Sequence, residues 1–295
     1  MILSGVWVAT ATFFDQQGDL DLEAFEKHCS WLFENGVTGL VPCGTTGEGS
    51  TLSAKERNLL LDSAVKLGTK NKKGVIAGCG GNNTQTVLNL ILEAKDSGAQ
   101  AALVVTPYYN RPTQEGLIAH YRFLADYSPL PIVLYNVPSR TGVNLLPETV
   151  NTLCEHPNII GLKEATGMHG QWLSLMCSPH SEGKSVLAGD DDAFATLFSL
   201  GAKGIISASA NVAPAHFVRL DQLLQTKKFE EAFLLQKKLF PLIRTLFLET
   251  NPAPIKYALA QMGRGKNRLR LPLVAIQPET EKKVRQELVN LELLS

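Results

Sequence analysis

The sequence has no net charge, no basic leader and no long apolar run. Its 295 residues contain 28 lysines and arginines against 28 aspartates and glutamates, so it offers no overall field that would favour nucleic acid or an anionic membrane. No apolar stretch reaches the ~20 residues that are needed to span a bilayer. The first fourteen residues are uncharged but lack the basic start of a secretion signal. These absences predict a cytoplasmic protein whose ligand is a small molecule.

Cysteine is scarce and scattered, and metal-binding patterns are missing. The five cysteines lie far apart without a CxxC pair or a Cys/His cluster, which argues against a zinc site or a disulfide framework. The acidic run 190–192 has no histidine nearby, so we expect it to cap a helix and face solvent rather than hold a metal. The glycine-rich segment GTTGEG at 44–49 lacks the lysine of a nucleotide-binding loop. The sequence therefore predicts no metal site.

What the sequence does contain is a repeated strand–helix unit. Eight short apolar runs are continuous rather than alternating, as expected of parallel strands that are buried on both faces. They span residues 6–14, 39–45, 74–79, 101–106, 131–136, 159–164, 185–188 and 204–209. Eight such units predict an α/β fold of the (β/α)8 TIM barrel type. The alternative, a doubly wound sheet, usually has a phosphate-binding fingerprint after its first strand, whereas the turn at 15–18 reads DQQG.

The end of the chain has only helical patterns. An apolar stripe runs from Phe229 to Leu246, and we expect Pro241 to interrupt it because proline lacks a backbone N–H. We therefore predict a catalytic barrel at 1–226 and a C-terminal helical region at 227–295. No linker between them is long or polar enough to separate the helical region as an independent unit.

Polar and reactive side chains stand at or after the ends of six predicted strands. In a barrel of this type the carboxyl ends of the strands converge on one face, where active sites lie. We expect these side chains to meet around one pocket, and they are Thr45, Thr46, Tyr108, Tyr109, Tyr135, Arg140, Lys163, Glu164, Asp190 and Ser207.

Lys163 is the most informative of these residues. It follows the apolar residues 159–162, so it lies in or at the mouth of a buried strand. Burying an ammonium group is costly unless it is paired or neutral. A neutral amine can add to a keto group and form a Schiff base, which acts as an electron sink. The alternative is a structural lysine that is paired with Glu164 or another neighbour.

The other candidates fit the binding of a small carboxylic acid. The phenols of Tyr109 and Tyr135 can relay protons if a hydroxyl group orients them. The planar fork of Arg140 suits a substrate carboxylate. Thr45 and Thr46 precede a helix start, where hydroxyl and backbone N–H groups can hold an anion. Taken singly, the tyrosines could be packing residues and the arginine a solvated surface residue.

Together these segments resemble the motifs of the dihydrodipicolinate synthases, in the same order and spacing. The resemblance covers nearly the whole chain. It rests on GTTGE at 44–48, YYNRP at 108–112, YNVPSRTG at 135–142, KEATG at 163–167 and NPAP at 251–254. The wider superfamily of pyruvate lyases shares the first loop, the tyrosine and the lysine, whereas SRTG is the narrower marker.

The resemblance implies a role for each catalytic residue. In that family, the residue matching Lys163 forms an imine with pyruvate, and the one matching Tyr135 carries protons beside it. By the same likeness Tyr135 is linked to Thr45, and Tyr109 reaches in from a neighbouring subunit. Thr46 with its backbone binds the pyruvate carboxylate.

The resemblance also implies the second substrate and the assembly. Arg140 binds the carboxylate of L-aspartate 4-semialdehyde, while Gly189 and Ile206 line the pocket. The family needs no metal or organic cofactor, and its members are commonly homotetramers. Two alternatives stay open: another pyruvate-dependent lyase, such as an N-acetylneuraminate lyase or a keto-deoxy sugar acid aldolase, and a non-catalytic barrel that binds a keto acid without a covalent adduct.

Two departures from the family pattern stand out. Thr12 is followed by Phe13 where the family usually has proline, and we expect only local packing consequences. Lysine-inhibited members have a histidine or other polar groups after the first loop and a glutamate early in the third helix, where this chain has Ala54, Arg57 and Thr86. Without that glutamate a bound lysine loses its charged partner, so we predict weak or absent inhibition by lysine.

Overall fold

Eight parallel strands close into a barrel in the computed structural model, which describes residues 2–178 and 183–294. Each strand pairs with the next one along the chain, and the last pairs with the first. The strands are β1 (Gly5–Val8), β2 (Gly39–Leu40), β3 (Gly74–Gly78), β4 (Ala101–Val105), β5 (Ile132–Asn136), β6 (Ile159–Glu164), β7 (Ser185–Ala188) and β8 (Gly204–Ser207). This closed barrel confirms the predicted fold class and excludes the doubly wound sheet.

Helices connect the strands and continue beyond the last of them. Those of the barrel are α1 (Leu22–Glu34), α2 (Ala54–Asn71), α3 (Thr84–Asp96), α4 (Gln114–Tyr127), α5 (Pro138–Thr141), α6 (Pro147–Cys154), α7 (His169–Met176), α8 (Phe194–Ser199) and α9 (Pro214–Gln225). Three more follow, which are α10 (Phe229–Leu246), α11 (Ala253–Gln261) and α12 (Pro278–Asn290). Within the described ranges, no helix has the length and apolar character required to cross a membrane.

Apolar side chains fill two separate layers. One layer lies inside the barrel and includes Trp7, Tyr135 and Ile206. The other lies between the strands and the helices that surround them. The Trp7 ring lies so close to Gly39 and Gly74 that a Cβ atom at either position would overlap it. Glycine at the start of two neighbouring strands thus makes room for one large ring at the amino-terminal end of the barrel.

Two predicted strands are longer than the observed ones. β1 ends at Val8 rather than at residue 14, although Phe13 and Phe14 are fully buried. They are buried outside the barrel sheet, and Phe14 forms only an isolated antiparallel bridge with Leu20 among the described residues. β2 ends at Leu40, because Pro42 has no N–H to donate and Cys43 has a positive φ of 62°. The apolar pattern therefore located these strands but overran their carboxyl ends.

The C-terminal helices pack onto the barrel through the outer apolar layer. Leu239, Leu242 and Ile243 of α10 belong to the same buried cluster as the barrel helices. The predicted interruption at Pro241 is wrong, since α10 continues through it. Pro241 lies on the exposed face of α10, where water can satisfy the carbonyl that it leaves unpaired. The turn between α9 and α10 falls at the predicted boundary of 226, and the division into two domains stays a prediction.

Candidate active site

Lys163 and Tyr135 lie side by side inside the barrel. They are register partners on the neighbouring strands β6 and β5, so their side chains point to the same face. The Lys163 Nζ atom is 4.2 Å from the centroid of the Tyr135 ring. Both side chains are buried. The amine is therefore desolvated against an aromatic face, with a phenol on the adjoining strand.

Glu164 does not pair with Lys163, so the ion pair that the structural alternative named first is not formed. Successive residues of a strand point to opposite faces, which directs Glu164 away from the barrel interior. Its carboxylate accepts hydrogen bonds from Asn136 Nδ2 at 3.2 Å and from the Thr166 backbone N–H at 2.9 Å. Burial raises the pKa of Glu164, while these donors oppose that shift. Among the described residues, no carboxylate lies within salt-bridge distance of Lys163.

The segment 44–49 forms a tight loop at the carboxyl end of β2. Two backbone bonds close it, from the Glu48 N–H to the Thr45 carbonyl and from the Gly49 N–H to the Gly44 carbonyl, both at 3.1 Å. A Cβ atom on Gly49 would overlap the Cys43 carbonyl, so a side chain has no room there. The backbone N–H groups of Thr46 and Gly47 donate to no residue in the described part of the chain. The loop thus has N–H groups that are free to donate hydrogen bonds to an anion.

Residues of the C-terminal helical region form hydrogen bonds and a salt bridge with the loop 44–49. Asn251 Nδ2 donates to Thr46 Oγ1 at 3.0 Å. Lys256 Nζ forms a salt bridge of 2.6 Å with Glu48, and neither side chain has any exposed surface. The backbone N–H of Arg270 also donates to Glu48, at 3.0 Å. No local pattern predicts these pairs, because their members are more than two hundred positions apart.

Arg140 lies on the short helix α5, which follows the carboxyl end of β5. Its side chain is exposed, and it is the third residue of α5. The next residue, Thr141, donates to the carbonyls of Val137 and Val143 at 3.2 and 3.0 Å, and it accepts a bond of 3.2 Å from Thr106 at the end of β4. These bonds fix α5 relative to the barrel. The position of Arg140 is therefore set, while its guanidinium stays accessible to a ligand.

Tyr109 points out of the molecule. Its side chain is 90% exposed, and its backbone has a φ of 72°, which is unfavourable for a bulky residue. It does not meet the other candidates within one chain. An exposed aromatic ring on a strained backbone is unusual at a solvated surface. The sequence could not have revealed this exposure, since a tyrosine after a strand is as often a packing residue.

The segment after β7 contains Gly189 and a run of acidic residues. The N–H of Gly189 donates to the Glu164 carbonyl at 2.7 Å, and Ile206 is fully buried inside the barrel. Burial and the neighbouring Asp192 and Asp191 raise the pKa of Asp190 to about 6, although Lys163 opposes the shift.

The expectation that the whole acidic run 190–192 faces solvent is wrong for Asp191. That side chain is only 2% exposed, and its carboxylate accepts a hydrogen bond of 2.7 Å from the Ser209 backbone N–H. Burial raises its pKa, and the hydrogen bonds from Ser209 and Ser207 lower it. Asp191 therefore ties the ends of two neighbouring strands together. No group of three or more potential metal ligands occurs among the residues described.

The structure brings part of the predicted site together. Lys163, Tyr135 and Ile206 lie in the barrel interior, while the loop 44–49 follows the carboxyl end of β2 and Arg140 follows that of β5. The implied link between Thr45 and Tyr135 is not formed as a hydrogen bond in the described chain, and the Thr45 side chain is exposed. That link and the catalytic role of Thr45 stay predictions.

The chain is similar to known proteins over nearly its whole length. The model of the dihydrodipicolinate synthetase family matches residues 2–291. The 4-hydroxy-tetrahydrodipicolinate synthase of Thermodesulfovibrio yellowstonii is 45% identical over 97% of this chain and 98% of its own. A crystal structure of dihydrodipicolinate synthase from Thermotoga maritima has a TM-score of 0.97 and 40% identity, and the match covers 100% of both chains.

A third relative was solved with a ligand. It is the chloride-inhibited dihydrodipicolinate synthase of Acinetobacter baumannii, complexed with pyruvate. Its TM-score is 0.96 at 39% identity, and the match covers 99% of each chain. The chain therefore matches these relatives in sequence and in structure over nearly its full length. The chain belongs to the dihydrodipicolinate synthetase family.

Proposed function

We propose that this chain is a Schiff-base lyase that condenses pyruvate with L-aspartate 4-semialdehyde to give 4-hydroxy-tetrahydrodipicolinate, a step towards diaminopimelate and lysine. Lys163 supplies the nucleophile, and Tyr135 moves protons beside it. Thr46 and the N–H groups of its loop bind the carboxylate of pyruvate. The observation that carries the proposal is the position of Lys163, buried without a carboxylate partner among the described residues and 4.2 Å from the Tyr135 ring.

The chemistry follows from an unpaired amine. The neutral amine of Lys163 adds to the keto carbon of pyruvate, and loss of water leaves an imine. Tyr135 takes a proton from the methyl carbon, which gives an enamine. The enamine carbon bonds to the aldehyde carbon of the second substrate, and the aldehyde oxygen takes up a proton.

Ring closure then releases the enzyme. The amine of the second substrate attacks the imine carbon, and the C–N bond to Lys163 breaks, which regenerates the lysine. The imine itself is the electron sink in these steps, so the reaction requires no metal or organic cofactor.

The assay for this function follows the cyclic product from purified protein, pyruvate and L-aspartate 4-semialdehyde. In parallel, borohydride is added with pyruvate alone to reduce the imine, and the adduct is located by mass spectrometry. We expect turnover and one adduct on Lys163. Trapping without product would retain the lyase chemistry but assign the chain to another aldehyde, such as that of a sugar acid. Binding of pyruvate without trapping would indicate a non-catalytic barrel.

Replacing Arg140 with alanine is expected to lower kcat/KM for the aldehyde by about 10²-fold, because a charge-assisted pair with a carboxylate is lost. Borohydride trapping of pyruvate should stay within a few-fold of the original, since pyruvate binds before the aldehyde. The matched control is Arg122→Ala on α4, whose guanidinium is half-exposed and 3.9 Å from Glu155. Equal losses for both substrates would contradict the assigned role.

Inhibition by lysine is expected to be weak or absent. Ala54 is the first residue of α2 and Thr86 the third residue of α3, and neither carries a charge. The guanidinium of Arg57 is buried and donates to the Gly78 carbonyl at 2.8 Å. A lysine amine that bound beside it would be repelled by this positive charge, whereas it needs an anion as its partner. The measurement is the initial rate against L-lysine concentration at fixed substrates. A rate halved by sub-millimolar lysine would contradict this expectation.

We further propose that the working enzyme is a homotetramer in which Tyr109 enters the site of a neighbouring subunit. The support is its nearly complete exposure and its strained backbone, which a single chain does not explain. There it would extend the proton relay that Tyr135 begins.

A further inference from the structure

Asn251 reaches the pyruvate-binding loop from the opposite end of the chain. It lies in the turn before α11, it is buried, and its Nδ2 atom is 3.0 Å from Thr46 Oγ1. Its Oδ1 atom is also buried and has no hydrogen-bond partner among the described residues. The side chain therefore makes a single directed polar contact, and that contact is with Thr46.

The turn is held firmly in this position. Lys256, five residues further along, forms the fully buried salt bridge with Glu48 of the same loop. The Lys256 backbone N–H donates to the Pro252 carbonyl at 2.9 Å, and the Ala253 N–H donates to the Thr250 carbonyl at 2.9 Å. Asn251 is thus presented to Thr46 by a turn that is fixed at both sides. Its contact with the loop is a built feature rather than a chance approach of two surface groups.

The direction of this hydrogen bond determines what the Thr46 hydroxyl can do. A threonine hydroxyl has one proton to donate and lone pairs that accept. Because Asn251 donates to the oxygen, the hydroxyl proton is not used by Asn251, and it is donated to no other described residue. A carboxylate can only accept hydrogen bonds. The proton of Thr46 is therefore free for a substrate carboxylate only while Asn251 acts as the donor.

We propose that Asn251 is a positioning residue that orients the hydroxyl proton of Thr46 towards the carboxylate of pyruvate. The proposal rests on the proposed function, because it takes pyruvate as the ligand of the loop. Asn251 does not touch the substrate. It acts through Thr46, and its contribution is realised when pyruvate binds rather than in the later reaction with the aldehyde.

The test compares Asn251→Ala with Asn251→Asp. Alanine removes the donor, and we expect kcat/KM for pyruvate to fall about 3–10-fold, the usual range for one neutral hydrogen bond. Aspartate has the same size but accepts, so it takes the Thr46 proton and places a negative charge behind it. We expect that variant to lose about 10–100-fold in kcat/KM for pyruvate. For both variants, kcat/KM for the aldehyde should change by less than about threefold.

A double-mutant cycle with Thr46→Val separates this role from a structural one. Without the hydroxyl, Asn251→Ala should cause almost no further loss for pyruvate, whereas independent effects would multiply. This cycle decides the question even if Asn251→Asp fails to fold. Multiplying effects, or an aspartate variant that binds pyruvate as well as the alanine variant does, would overturn the proposal.

Borohydride trapping of pyruvate on the unaltered protein distinguishes the two levels of failure. If pyruvate is trapped on Lys163 but the variants are unaffected, only the role of Asn251 is wrong. If the unaltered protein traps no pyruvate, the proposed function fails, and the role of Asn251 fails with it.

Discussion

Replacing Lys163 with methionine is expected to abolish the borohydride-trapped pyruvate adduct and to lower turnover by at least about 10³-fold. The loss is large because the amine forms the covalent intermediate, so no slower version of the same route remains. Methionine has a similar length and is apolar, which suits the buried position between β5 and β7. Folding should therefore be retained, since the substitution removes a desolvated amine that has no carboxylate partner in the described chain.

The matched control is Lys27→Met on α1. Lys27 is highly exposed and forms a salt bridge with Glu23, four residues before it. We expect this variant to trap pyruvate and to turn over like the original, because exposed ion pairs contribute little. The measurements are the mass of the intact reduced protein and the rate of product formation. An adduct that persists in Lys163→Met would mean that a different lysine is the nucleophile.

Replacing Lys256 with methionine is expected to destabilise the fold by about 3–5 kcal/mol, because it removes the salt-bridge partner of the buried Glu48 carboxylate and leaves it the hydrogen bond from the Arg270 backbone N–H. The Lys256 Nζ atom lies 2.6 Å from Glu48 and 4.3 Å from the centre of the Phe14 ring. Burial lowers the pKa of Lys256, and Glu48 opposes that shift. In a thermal denaturation experiment the loss should appear as a Tm lower by roughly 5–15 °C.

The double variant Glu48→Gln with Lys256→Met should recover part of this loss, since a neutral amide is less costly to bury than an unpaired carboxylate. The control is Lys282→Met on α12, whose salt bridge with Glu279 is 3.2 Å long and well exposed, and its Tm should stay unchanged. Because Glu48 belongs to the loop 44–49, the single variant should also bind pyruvate more weakly. A Tm equal to that of the original would show that the pair contributes nothing to the fold.

The barrel was predictable because its signal is local. Each strand is a continuous apolar run, and such runs arise wherever parallel strands are buried on both faces. β6 and β7 were predicted with their observed bounds. The errors came where apolar residues are buried for another reason. Phe13 and Phe14 pack under neighbouring elements, and Pro241 lies in a helix whose exposed face tolerates it. Buried positions are apolar in the sequence, but the spacing of apolar residues does not indicate which element buries them.

The candidate site likewise contains residues that a local pattern could predict and contacts that it could not. Lys163 could be predicted because a lysine inside an apolar strand is unusual, and Arg140 because it belongs to the SRTG motif. The contacts that support them could not, since Asn251 with Thr46 and Lys256 with Glu48 join positions more than two hundred residues apart. The prediction that Asp191 caps a helix in solvent is wrong because an acidic run does not reveal that the distant Ser209 N–H donates a hydrogen bond to one of its carboxylates.

The sequence by itself determined the order of strands and helices and the closed parallel barrel, and it predicted Lys163 as the residue that forms a Schiff base. The fold follows from the local spacing of apolar residues. The prediction for Lys163 follows from the cost of burying an amine together with the resemblance to the family. Only the tertiary structure decided that Glu164 turns away from Lys163, that Tyr109 points outwards and that the C-terminal helices hold the loop of Thr46. Such features depend on which distant segments meet when the chain folds, and a local pattern carries no information about a partner two hundred residues away.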